Sequence, residues 1–94
     1  MTYLNYIRFK GFDQAVYALP GPVQQRFATF LRLACSDPDD KSVTDLCRRG
    51  TDFPQALAYP LGRGYLIYWD VERNIAGRPL RVQLLGFGQI PGTV

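Results

Sequence analysis

The sequence contains no histidine and only two cysteines, Cys35 and Cys47, among its 94 residues. Without histidine, a Ser–His–Asp or Cys–His arrangement and histidine-based acid–base catalysis are excluded. A structural zinc site normally takes four nitrogen or sulfur ligands, which two cysteines alone do not supply. We therefore predict no metal and no cofactor, and we expect both cysteines to be reduced thiols that serve as small core residues.

Long apolar runs are also absent. No segment approaches the roughly 18 apolar residues that a membrane span requires. The N-terminal residues, MTYLNYIRFKGF, lack the apolar region of a signal peptide. We therefore expect a cytoplasmic protein with no membrane partner.

The composition favours one folded domain over residues 1–94. Hydrophobic residues make up 47% and charged residues 20% of the chain, which is typical of a globular protein and not of a disordered one. The net charge is +3, and the whole excess of basic residues lies in residues 41–94. A basic surface there would attract RNA, DNA or an acidic protein, although +3 is also an ordinary charge for solubility.

The clearest helix prediction starts at Pro22, because proline is well tolerated at the first helical position. Its apolar residues recur at the spacing of one helix face: Val23, Phe27, Phe30, Leu31 and Ala34. Asp37 and Pro38 are predicted to end this helix. A shorter helix, capped by Asp13, is predicted before it and runs through Leu19.

Ser42 and the residues after it resemble a capping signature, which predicts one short turn that ends at Gly50. Thr51–Pro54 is predicted to be a connector.

Four strands are predicted around these helices: Thr2–Phe9, Gln55–Leu61, Tyr65–Trp69 and Leu80–Gly88. Gly62-Arg63-Gly64 is predicted to be a hairpin turn, because its glycines readily adopt positive φ angles. Pro60 is predicted at a sheet edge or strand end. The resulting order, β-α-α-β-β-β, indicates an α+β fold with two N-terminal helices packed on one face of a mostly antiparallel four-stranded sheet.

The last strand is predicted to present two different faces, because its residues alternate. One face carries Leu80, Val82 and Leu84, and the other carries Arg81, Gln83, Leu85 and Phe87. The second face mixes charge, amide and aromatic groups. It could therefore meet a ligand, or it could simply be a half-solvated sheet face.

Several short motifs, together with this order of elements, resemble the RelE/ParE superfamily of toxins from bacterial type II toxin–antitoxin pairs. The motifs are Phe12-Asp13 with Ala15, Asp37-Pro38, Arg49-Gly50, Gly64-Tyr65-Leu66-Ile67-Tyr68 and Leu85-Gly86-Phe87-Gly88. The resemblance covers nearly the whole chain. It implies a growth-inhibiting toxin that a cognate antitoxin protein neutralises.

In the ribosome-dependent branch of this superfamily, the resemblance implies mRNA cleavage in the ribosomal A site. A 2′-hydroxyl attacks the neighbouring phosphate, which requires a cation and groups that donate and accept protons. The candidate catalytic residues are Arg81, Arg63 and Tyr65. The candidate RNA-binding residues are Lys41, Arg48, Arg49, Arg78, Tyr59 and Gln83.

Both candidate tyrosines and one candidate arginine also fit purely structural roles. Tyr65 shares its predicted face with Ile67 and Trp69, so it is also a core candidate, and the same holds for Tyr59. Arg63, at a turn tip, could simply be solvated.

The chain departs from the pattern of the nuclease branch at two positions. Leu66 stands where an arginine usually follows the Gly-Tyr pair, and Gln89 stands at the basic position after the last-strand glycine. We therefore expect a toxin that acts by ribosome-dependent mRNA cleavage and lacks several usual catalytic residues. Two alternatives stay open: a DNA gyrase inhibitor of the ParE type, and a non-catalytic nucleic-acid-binding module of the same fold.

Overall fold

The computed structural model describes residues 3–49 and 56–90. Within these residues the elements are, in chain order, β1 (Asn5–Ile7), α1 (Phe12–Tyr17), α2 (Gly21–Ser36), α3 (Lys41–Thr44), β2 (Arg48–Arg49), β3 (Leu57–Gly62), β4 (Tyr65–Arg73) and β5 (Pro79–Gln89). The strands form one sheet in the order β1-β5-β4-β3-β2. Only the β1–β5 pair is parallel. The predicted α+β class is confirmed, and the sheet gains the two-residue strand β2.

Helix α2 covers one face of this sheet. It begins at Gly21, so Pro22 occupies the second helical position and not the predicted first one. Proline is tolerated there because the first N–H groups of a helix have no partner within the helix. The predicted stripe is buried at Val23, Phe27, Phe30 and Ala34 and half-buried at Leu31. The helix ends at Ser36, before the predicted Asp37-Pro38 stop.

Both helix caps predicted from the sequence are wrong. Gly11, with a φ of 81°, precedes α1, and Asp13 lies within the first turn. A carboxylate is favoured there by the helix dipole. The cap of α3 is Asp40, whose side chain accepts the Ser42 N–H at 2.8 Å. Helix α3 ends at Thr44, and the predicted end at Gly50 and the connector after it lie outside the described residues.

The predicted hairpin is confirmed. Strand β3 ends at Gly62 and β4 begins at Tyr65, with φ angles of 90°, 54° and 79° at Gly62, Arg63 and Gly64. Strand β4 lies inside the sheet, because it pairs with both β3 and β5. Pro60 lies beyond the two residues of β3 that pair with β2, so β3 is the sheet edge at this point.

All four predicted strands have different bounds in the structure. Strand β4 extends from the predicted Trp69 to Arg73, and β5 spans Pro79–Gln89 instead of Leu80–Gly88.

The first strand was predicted over Thr2–Phe9 and pairs with β5 over Asn5–Ile7, and Thr2 lies outside the described residues. Strand β3 begins at Leu57, and Gln55 lies outside the described residues.

The predicted alternation along β5 is wrong at both ends because the strand contains two bulges. Trp69 pairs with Leu84 and Tyr68 pairs with Gly86, so Leu85 is an extra residue. The bulge turns Phe87 to the helix-covered side, where its ring contacts that of Phe27 at 5.0 Å between centroids.

Leu80 is the extra residue of the second bulge, between the pairs Glu72–Arg81 and Arg73–Pro79. It is 47% exposed and not part of the core.

The core therefore lies between α2 and the sheet. Phe30 packs its ring against Tyr59 and Trp69, at centroid distances of 4.6 and 5.2 Å. The longest helix, α2, has 16 residues. No helix in residues 3–49 and 56–90 has the length and apolar composition needed to cross a bilayer.

Candidate functional site

The face of the sheet away from α2, here called the outer face, carries a cleft of about 490 Å³. The residues that line it come from the segment after α3, from β2, β3 and β4, and from the residue after β5: Asp45, Leu46, Cys47, Arg48, Ala58, Pro60, Leu66, Tyr68 and Ile90. Its volume lies within the range of small-molecule pockets. Most of the lining is apolar, with the exposed side chains of Asp45 and Arg48 at the rim.

The two glycines of β5 explain how Tyr68 fits on the outer face. Gly86 is its register partner on β5. A Cβ atom on Gly88 would lie only 2.6 Å from Cε2 of Tyr68. The absence of a side chain at Gly88 therefore leaves room for the ring, and Tyr68 is only 4% exposed.

The three candidate catalytic residues do not converge. Arg63 lies in the β3–β4 turn, whereas Arg81 pairs in register with Glu72, near the other end of β4. From Tyr65 to Glu72 is seven steps along a strand, or roughly 23 Å at about 3.3 Å per residue. Tyr65 packs against the core on the helix-covered side, so it does not share a face with Arg81.

The candidate RNA-binding residues fall into buried and exposed groups. Tyr59 is 6% exposed and packs on Phe30, so it is a core residue. Gln83 is half-buried in β5, where it pairs in register with Ile7 of β1 and Asp70 of β4.

Three candidates are exposed at separate places. Lys41 starts α3, Arg48 lies at the cleft rim and Arg78 lies in the turn between β4 and β5. Arg49 belongs to β2, and its side chain lies outside the described residues. Among the candidates whose side chains the structure describes, only Arg48 lines the cleft.

Ion pairs neutralise two of the arginines near the far end of β4. Nε of Arg81 lies 2.5 Å from a carboxylate oxygen of Glu72. Arg73 donates to both carboxylate oxygens of Asp39, at 2.6 and 3.1 Å. The Arg73 guanidinium thereby holds the pKa of Asp39 below its usual range.

Arg26 and Arg63 have a different environment. Both are exposed, and within residues 3–49 and 56–90 neither pairs with a carboxylate. Cδ of Arg26 lies 3.6 Å from the position that a Cβ on Gly62 would take, which places this α2 side chain beside the hairpin turn. Sequence reasoning missed Arg26. The available signal was that Gly21–Ser36 contains no acidic residue.

The thiol of Cys47 is half-buried and contacts two polar groups, a backbone carbonyl and an indole N–H. Its S–H donates to the Val43 carbonyl at 3.2 Å. Burial raises the pKa of Cys47, and the nearby indole N–H of Trp69 opposes this rise only in part. That N–H forms no hydrogen bond of normal geometry with any described group, so its contact with the sulfur is weak. A thiol with a raised pKa is a poor nucleophile at neutral pH.

The described residues do not bring together three or more His, Cys, Asp or Glu side chains that could hold a metal ion. They provide an apolar cleft on one face and two unpaired guanidinium groups at the hairpin. These features suit binding better than bond cleavage. The chain matches no protein-family model and no curated protein.

Proposed function

We propose that this protein is a RelE/ParE-like toxin of a type II toxin–antitoxin pair, and that it inhibits growth by binding RNA of the translation machinery. The observation that carries the proposal is the arrangement of the main elements: helices precede a hairpin and a last strand, and α2 covers one sheet face. This order is the one that accompanies the sequence motifs of that superfamily.

The positions of the charged groups favour binding over cleavage. Cleavage by a 2′-hydroxyl requires a cation and proton-transferring groups at one phosphate. Arg63 lies in the turn before Tyr65, and Arg81 pairs with Glu72, which is roughly 23 Å from Tyr65 along β4 at about 3.3 Å per residue. Tyr65 faces the core. The proposed partners are therefore mRNA on the ribosome and a small acidic antitoxin.

Inducible expression in a bacterial host tests the class of protein. We expect growth to stop on induction and to resume when a small acidic protein encoded beside this gene is co-expressed. Normal growth with soluble protein present would contradict the proposal.

In vitro translation with purified protein tests the mechanism. We expect translation to stop while primer extension shows intact mRNA and gyrase supercoiling is unchanged. Cleaved mRNA would restore the nuclease mechanism. Loss of supercoiling with normal translation would instead assign the protein to gyrase inhibition.

A further inference from the structure

The turn between β3 and β4 contains a strained arginine. Arg63 has a φ of 54°, and it is the one residue other than glycine with a positive φ among residues 3–49 and 56–90. This left-handed conformation is disfavoured for a residue with a Cβ atom. Glycine, which stands on both sides, would be the unstrained choice. Backbone strain of this kind is concentrated at functional sites, which makes Arg63 a candidate functional residue.

Arg26 brings a second guanidinium from the helix layer to the same end of the molecule. Its side chain runs beside Gly62, although α2 and the hairpin belong to different layers of the fold. We call Arg26 together with Gly62-Arg63-Gly64 the hairpin end. Tertiary packing, and not closeness in the sequence, creates this pair of cations.

Within residues 3–49 and 56–90, no carboxylate forms an ion pair with the arginines of the hairpin end. Helix α2 has no acidic residue, and neither has the segment Leu57–Trp69 that forms the hairpin. Arg73 and Arg81, in contrast, bind Asp39 and Glu72. Exposed cations without ion-pair partners attract a polyanion, and the attraction weakens with added salt.

The chemistry of the surface favours phosphate groups as the ligand. A guanidinium presents planar donors that match a phosphate in a bidentate geometry. A folded protein partner would require an apolar centre at the interface. The exposed residues of α2 on the turns around Arg26 include no large apolar side chain: Pro22, Gln25, Ala28 and Thr29.

We propose that Arg26 and Arg63 together bind the phosphate backbone of single-stranded RNA at the hairpin end, and that Arg81 on the outer face does not. This inference rests on the proposed function, because it assumes that the chain binds RNA. It adds the contact surface and a helix residue that the sequence motifs do not indicate.

The test is fluorescence anisotropy with a labelled single-stranded RNA oligonucleotide at several salt concentrations. The variants are Arg26→Gln, Arg63→Gly and the double variant. Arg81→Gln is the matched control, because it removes the same charge at a residue already paired with Glu72. Arg63→Gly is expected to fold as well as the parent, since glycine adopts the observed φ without strain.

We expect each single variant to weaken RNA binding by about 5-fold to 10-fold and the double variant by more than about 30-fold, because charge-assisted hydrogen bonds to phosphate are removed. The slope of log K against log salt should decrease by about 0.7 for each phosphate that the variant no longer binds. Arg81→Gln should change the affinity less than about 2-fold, as for a surface charge already in an ion pair.

Three results would overturn the inference in different ways. If the parent binds RNA and the hairpin-end variants bind equally well, the contact surface is elsewhere and the proposed function survives. If Arg26→Gln, Arg63→Gly and Arg81→Gln all weaken RNA binding equally, net charge alone determines the affinity and the hairpin end is not a specific contact surface. If the parent binds polyglutamate but no RNA, both this inference and the RNA-binding function fail.

Discussion

At the scale of single residues, Gly88 shows how one missing side chain shapes the outer face. A Cβ atom there would lie 2.6 Å from Cε2 of Tyr68, too close for the buried ring to keep its position. We expect Gly88→Ala to lower the free energy of unfolding by about 1–3 kcal/mol, the usual cost of overpacking. Chemical denaturation monitored by circular dichroism measures this change.

The matched control for that residue is Gly21→Ala at the first position of α2, where no atom lies within 4 Å of the new Cβ. Its stability should be unchanged or slightly higher, because alanine reduces the entropy of the unfolded chain. Equal losses in both variants would show that Tyr68 does not set the requirement for glycine at position 88.

At the scale of elements, the contact between α2 and the sheet centres on Phe30. This residue is fully buried and touches the rings of Tyr59 and Trp69. We expect Phe30→Leu to lower the free energy of unfolding by about 1–3 kcal/mol, because it loses apolar area and leaves a cavity. Gln25→Ala, on the exposed side of the same helix, should change it by less than about 0.5 kcal/mol. A urea titration of both variants compares them, and equal effects would contradict this role of Phe30.

Some features of these elements could be predicted from the sequence, and others could not. The stripe of α2 and the Gly62-Arg63-Gly64 turn depend on neighbours close in sequence, so periodicity and glycine positions were enough to predict them. The bulge at Leu85 depends on the register with β4, which no local pattern contains. That one extra residue moves Phe87 from the predicted outer face into the core.

Only part of the candidate site could be predicted from the sequence, because local patterns identify a turn but not a tertiary contact. Arg63 was predicted from its turn. Arg26 could not be, because its side chain comes to lie beside Gly62 only when α2 packs on the hairpin. The predicted grouping of Arg63 with Arg81 assumed a shared surface, whereas strand length separates them.

At the scale of the whole molecule, the ion pair between Asp39 and Arg73 joins the loop after α2 to the end of β4. Because Arg73 lowers the pKa of Asp39, the folded state binds this proton less readily than the unfolded state does. The stabilisation is therefore present above the unfolded pKa of about 3.9. It is lost as the pH falls through the lower folded pKa.

We expect Asp39→Asn to lower the free energy of unfolding at pH 7 by less than about 1 kcal/mol, since both side chains are partly exposed to solvent. The difference from the parent should narrow as the pH falls below about 3.9, because the parent's carboxylate then becomes protonated as well. Urea denaturation across this pH range measures it. The control is Asp45→Asn, which removes the same charge at a residue without an ion pair in the described part of the chain. The difference in free energy of unfolding between this variant and the parent should not narrow at low pH. An Asp39→Asn deficit that persists undiminished at pH 2 would mean that this loop is held by its shape and not by its charge.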